Sequence, residues 1–254
     1  MFRHEGPSRS PKTNALVAGY LAFIAGFVNS GGFILIGSFT SHVTGSIGRI
    51  STDFAAGDPG AAVSAVLLVF MFFLGAFGAT LVIEGHAADH VSQAYATALL
   101  VEAGLLSLFI FVAGLSQATH PRLQDAEATI LCLAMGIQNS LVTRLSGAVV
   151  RTTHLTGVTT DLAIEVARWY RRHRAKLSAL PALLGAGLKA ERPVPAKTIL
   201  LTTIVLTFVL GALLGALLTM RSSRWAMGLP ALAVFGASAL AFAQRGRVAA
   251  TARP

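Results

Sequence analysis

The chain has 254 residues, of which 54% are hydrophobic and 12% charged, with a mean hydropathy of +0.68. A soluble domain carries about 25% charged residues, so this composition reads as a membrane protein. The net charge of +9 does not point to nucleic acid, because the cations gather in one segment and at the chain ends, beside apolar runs. A single cysteine, Cys132, excludes an intrachain disulfide and argues against cysteine-based redox chemistry.

Residues 1–13 carry Arg3, Arg9 and Lys12 with two prolines and read as a disordered cytoplasmic tail. The apolar run from Asn14 to Gly37 is long enough to span about 30 Å of hydrocarbon and too long for a signal-peptide core. It carries Gly26-Phe27-Val28-Asn29-Ser30, and Thr40-Ser41-His42-Val43-Thr44-Gly45 follows it. Residues 38–60 form a polar connection in which Val43 to Ala56 reads as a short helix folded back into the protein, and Asp58-Pro59-Gly60 marks a turn. The second span covers 61–83 and ends at Glu84 and a loop with His86, Asp89 and His90, read as solvated rather than as a metal site. The third covers 95–115 and contains Glu102, and 117–127 is a polar loop.

The fourth span, 128–149, contains Gly136-Ile137-Gln138-Asn139-Ser140 and Arg144, and Arg151-Thr152-Thr153-His154-Leu155-Thr156-Gly157 follows. This is a second copy of the first motif. The Asn-to-His separation is 13 residues in one copy and 15 in the other, and a match at so many polar positions in an apolar chain reads as internal duplication. The second block opens an amphipathic interfacial helix, Asp161 to Lys176, with its cations crowded at the C-terminal end, followed by a loop rich in Pro, Gly and Lys. The fifth span is expected at 198–220, a tight turn at Arg221 to Arg224, and the sixth span from Trp225 to Ala243, kinked near Pro230. Residues 245–254 form a cytoplasmic tail.

These motifs resemble the YoaK-like family of bacterial multi-pass membrane proteins of unknown function. The resemblance covers about residues 13–244, with Ser46 standing where the family carries Asn. It implies an inner-membrane location and no particular activity.

With six spans and the N-terminus inside, cytoplasmic segments hold 15 of the 20 Lys and Arg residues, and the outside loops hold four. The positive-inside rule therefore places both termini in the cytoplasm. The expected fold is an all-α integral membrane protein of about six helices in a 3+3 inverted repeat, with short motif-bearing helices or re-entrant segments after helices 1 and 4. Its halves are 14–116 and 117–244, the second with a basic cytoplasmic insertion at 168–197.

Asn29 and Asn139 read either as glue between helices or as members of a central site. The site reading gathers Asn29, Ser30, His42, Thr44, Gly45, Gln138, Asn139, Arg151, Thr153, His154, Thr156 and Gly157 around a small solute, with helix N-termini and the His and Arg side chains favouring an anion. Glu102 reads either as a carboxyl satisfied by hydroxyls or Arg144, or as a proton-coupling group. Polar residues duplicated across an inverted repeat favour a small-solute transporter. A scaffold or regulator using the basic helix comes second, and an intramembrane enzyme third, because no asymmetric catalytic set is present. No cofactor, metal or nucleic acid is expected. The expected partners are membrane lipids, the solute and, as an option, a second copy of the chain.

Overall fold

The computed structural model describes residues 11–86, 91–119, 122–145, 155–183 and 196–251. They form eight α-helices: α1 (Pro11–Ile36), α2 (Val43–Ala55), α3 (Pro59–Glu84), α4 (Val91–Thr119), α5 (Arg122–Leu145), α6 (Leu155–Leu183), α7 (Ala196–Ser222) and α8 (Gly228–Thr251). A 3-10 turn, Ser223–Met227, joins the last two, and no strand occurs among the described residues.

The element boundaries follow local chemistry. α1 stops where Gly37 takes the left-handed conformation (φ 72°) and returns its N–H to the Phe33 carbonyl at 2.8 Å. α3 starts because the Asp58 carboxylate accepts the Ala61 N–H at 2.9 Å, with Pro59 supplying a preset φ and no N–H to satisfy. Pro230 falls in the first turn of α8, where proline is tolerated, so α8 is continuous where a kink was expected. The expected tight turn at 221–224 is the end of α7 followed by the 3-10 turn.

Among the described residues, four segments are long and apolar enough to cross a membrane: Ala15–Ile36, Pro59–Glu84, Val91–Leu115 and Ala196–Ala243, the last containing both α7 and most of α8 over 48 residues. The chain is thus an all-helical membrane protein. α5, the expected fourth span, is not among the four, because Arg122, Asp125, Glu127 and Arg144 sit toward its ends. It needs no apolar exterior: Leu131, Ala134, Met135, Ile137, Leu141 and Val142 are all buried in one core with the inner faces of α1 and α4. α3 and α7 instead turn large side chains outward, among them Phe70, Phe73 and Phe77 on α3 and Leu206, Val209 and Leu213 on α7.

The helix pairs cross between the two halves of the chain. α1 packs mainly on α7, α5 on α3, and α4 on α8. Glycines make the first two pairs close. A methyl added at Gly26 would press on the Phe208 carbonyl and lie 2.9 Å from the Ala212 nitrogen, and one at Gly136 would press on the Phe72 carbonyl and lie 3.0 Å from the Ala76 nitrogen. Gly211 and Gly75 face back onto the carbonyls of Phe23 and Leu133. Small residues let backbones approach this closely in a bundle, as the glycine positions of both motifs require.

Three expectations about the connections change. The loop expected at 117–127 is helical except at 120 and 121, which lie outside the described residues. The first motif-bearing helix is short, but α2 buries none of its residues and leaves Ile47 and Phe54 exposed, so it lies along α3 rather than inside the protein. The second, α6, has 29 residues and reaches Leu183, beyond the expected end at Lys176. An apolar stripe and three acid–base contacts sustain it: Glu165 pairs with Arg168 at 3.0 Å, and Lys197 at the start of α7 reaches Asp161 at 3.3 Å and Glu165 at 4.0 Å.

Candidate functional site

The first motif builds a polar corner at the end of α1. Asn29 is half-buried two turns before the helix ends, and the chain turns back through Phe39, Thr40 and Ser41 into α2. The Ser41 hydroxyl donates to Asn29 Oδ1 at 2.9 Å, which fixes the amide and leaves its Nδ2 without a hydrogen bond among the described residues. Phe33 stacks on Phe39 at 4.3 Å, and Phe39 meets the His42 ring edge-on at 6.5 Å. These rings brace the corner.

His42 is the N-cap of α2 and makes no side-chain capping bond. Its carbonyl receives the Ser46 N–H at 3.0 Å and the Ser46 hydroxyl at 3.3 Å, so serine at position 46 has a local partner. The imidazole lies against Gly45, where a methyl group would collide with Nδ1 and sit 2.7 Å from Cε1. The glycine of the His-x-Thr-Gly block therefore makes room for the histidine ring. Sequence alone gives the spacing but not this reason for it.

The second motif arrives at the same place. A cavity of about 250 Å³ is lined by Asn29, Phe39, Ser41 and His42 from the first copy, Leu155 and Thr156 from the second, and Phe208 from α7. Leu155 and Thr156 are the first two residues of α6, so the starts of α2 and α6 both border the cavity. Of the expected site residues, Asn29, His42 and Thr156 are brought together. Ser30, Thr44, Gly45 and Gly157 adjoin this corner in sequence without lining the cavity. Arg151, Thr153 and His154 lie outside the described residues.

Gln138 and Asn139 are on α5 and do not line this cavity. The next residue, Ser140, exchanges a hydrogen bond with Thr80 of α3 at 2.9 Å, which makes it a bridge between helices. Arg144 binds Glu84 at the end of α3 at 2.7 Å, which removes the alternative in which it satisfies Glu102. The α3–α5 packing puts these two helix ends together, whereas Glu102 is completely buried on α4 with neither oxygen hydrogen-bonded. His86 Nδ1–H donates to the Val82 carbonyl, 2.6 Å away, and no cluster able to hold a metal occurs among the described residues. Asp89 and His90 lie outside them.

Phe39 and Phe208 are lining residues that the sequence reading missed. A signal for Phe208 was present: Phe72-Phe73-Leu74-Gly75-Ala76 and Phe208-Val209-Leu210-Gly211-Ala212 share Phe-x-Leu-Gly-Ala, extending the duplication into the helices after each motif. These are the segments against which Gly136 and Gly26 pack.

A family model described as a protein of unknown function, DUF1275, matches residues 17–240. The chain belongs to this family. The match takes in both motif copies, all the helix pairs described above and the cavity, in line with the resemblance carried by the motifs. No curated protein and no solved structure matches the chain. The family is described only as of unknown function, so the chemistry of the cavity must carry the functional reading.

Proposed function

We propose that this DUF1275 protein is a small-solute transporter or permease of the bacterial inner membrane, built as a six-span inverted repeat with both termini in the cytoplasm, and not an enzyme. The observation that carries this reading is the cavity itself. Residues more than a hundred positions apart, Asn29 and His42 on one side and Leu155 and Thr156 on the other, meet there because they belong to the two motif copies. The crossed glycine contacts of Gly26 and Gly136 support the repeat, since each copy packs on the Phe-x-Leu-Gly-Ala segment of the other half.

The solute class is a small organic anion. The N-termini of α2 and α6 border the cavity, and peptide N–H groups at helix starts favour negative charge. The Asn29 amide N–H groups and the His42 imidazole add donors, while Phe39 and Phe208 supply apolar wall for a short carbon skeleton. Uptake and efflux of labelled pyruvate, succinate, citrate and benzoate in proteoliposomes, with and without a pH gradient, test this. Protein-dependent movement of at least one anion is expected; movement of none, with correctly inserted protein, removes the transporter reading and leaves the scaffold reading.

A further inference from the structure

Among the described residues, the buried polar side chains without a hydrogen bond include two that are completely enclosed. Glu102 on α4 and Gln138 on α5 are both 0% exposed, and all four of their side-chain oxygen and nitrogen atoms lack a hydrogen bond. Each sits in the middle of a buried stripe at helical spacing: Tyr95, Leu99, Glu102, Leu106 and Phe109 on α4, and Leu131, Met135, Gln138 and Leu141 on α5.

The two residues lie at the same depth. α4 ends at Thr119 and α5 begins at Arg122, and the two helices pack on each other, so they run antiparallel. Glu102 is 17 residues before the end of α4 and Gln138 is 16 residues after the start of α5. At 1.5 Å per residue these are about 26 Å and about 24 Å from the hairpin end. Helix axes pack about 8–10 Å apart, within the combined reach of a glutamate and a glutamine.

The titratable groups on the elements packed against α4 do not neutralise Glu102. On α5, Arg144 is engaged by Glu84 of α3 at 2.7 Å, Cys132 packs with Leu68 and Ala128, Glu127 is itself acidic, and Asp125 is exposed near the start of the helix. Arg224 of the 3-10 turn lies beside Gly114 and over the Trp225 ring, and residues 228–243 of α8 carry no charged side chain. Tyr95 shares the buried stripe of α4, and Tyr20 of α1 donates to the Ala233 carbonyl at 2.7 Å. An ionised carboxylate with no partner in such a place is far more costly than the neutral acid. The neutral acid also fits its neighbour: a carboxyl group offers one donor and one acceptor, the complement of the acceptor and donor of an amide, whereas a carboxylate offers acceptors only.

We propose that Glu102 and Gln138 form an internal proton-binding site, with the proton carried on Glu102 and the Gln138 amide, not bonded to it in this structure, turning to hold it. Gln138 is followed directly by Asn139 of the second motif, and neither lines the motif cavity. Use of this proton in coupled solute movement rests on the transporter reading; the proton site itself does not.

Infrared difference spectroscopy of the purified protein in lipid reads the proton directly. At neutral pH the wild type should show the C=O stretch of a protonated carboxyl that disappears in Glu102→Gln, persists in Glu127→Gln and in Glu102→Asp, and moves to higher frequency in Gln138→Leu, which removes its hydrogen-bond partner. A spectrum in which Glu102→Gln removes a carboxylate band instead overturns the proposal, and sensitivity of that band to replacing sodium by choline would assign the site to a cation. Should Glu102→Gln fail to insert, the Gln138→Leu displacement decides, and its absence overturns the pair. A protonated Glu102 without anion movement retains the proton site and removes the transporter; an ionised Glu102 with working transport does the reverse.

Discussion

At the residue scale, the motif corner separates groups that touch the cavity from groups that position them. Asn29, His42 and Thr156 line it, while Gly45 only makes room for the imidazole. We therefore expect Asn29→Ala and His42→Ala to abolish most anion uptake while lowering stability only by the cost of a neutral hydrogen bond, about 0.5–1.5 kcal/mol. Gly45→Ala should follow them in uptake, because the added methyl displaces the ring without removing it. Uptake and melting temperature measured on the same purified variants check this, and uptake unchanged in all three would reduce the corner to structural glue. How much of this was legible depended on repetition. Asn29 and His42 stood out because the chain says them twice, whereas Phe39 and Phe208 looked like any other apolar residue of a membrane helix. The partner of Arg144 was invisible for a different reason: choosing Glu84 over Glu102 requires knowing that α3, not α4, ends beside it.

At the element scale, the sequence distinguishes helices from connections but not how each helix is surrounded. α5 carries enough polarity to fail as an isolated span, and it is tolerated because its neighbours enclose it. α6 outruns its expected end because Pro and Gly beyond Lys176 read as a stop, yet the helix continues past Pro181. Two predictions belong here. Gly26→Val and Gly136→Val should each destabilise by about 1–3 kcal/mol through overpacking against backbone, seen as a lowered melting temperature, whereas Gly78→Ala and Gly104→Ala, which meet nothing within 4 Å, should be close to neutral. On α6, exposed Trp169 and Tyr170 lie among Arg168, Arg171, Arg172 and Arg174, a surface suited to anionic lipid. Neutralising Arg171 and Arg172 should weaken association with phosphatidylglycerol by about 1 kcal/mol per cation near the surface, with anion uptake intact. Flotation with vesicles of defined composition measures the first and proteoliposome assays the second; lost uptake with normal insertion would favour the regulatory reading.

At the scale of the whole molecule, the charge asymmetry predicts an orientation that can be tested. Reporter fusions after Gly85 and after Arg174 should both report the cytoplasm, and fusions after Gly57 and after His120 the opposite face. The same side for Gly57 and Arg174 would end the inverted repeat. The all-helical class follows from hydropathy and the duplicated motif from its spacing, while the pairing of helices across the halves depends on glycine contacts that no periodicity reveals.

That crossed pairing also governs how the protein must be made. α1 and α3 leave the ribosome early, yet the surfaces they close belong to α7 and α5. The grooves at Gly26 and Gly75 thus stay open in the bilayer while the later helices are synthesised, and neither half can be a finished bundle by itself. A chain cut at the α4–α5 connection should accumulate poorly as either fragment alone and recover when both are co-expressed, each fragment serving as the other's missing folding template.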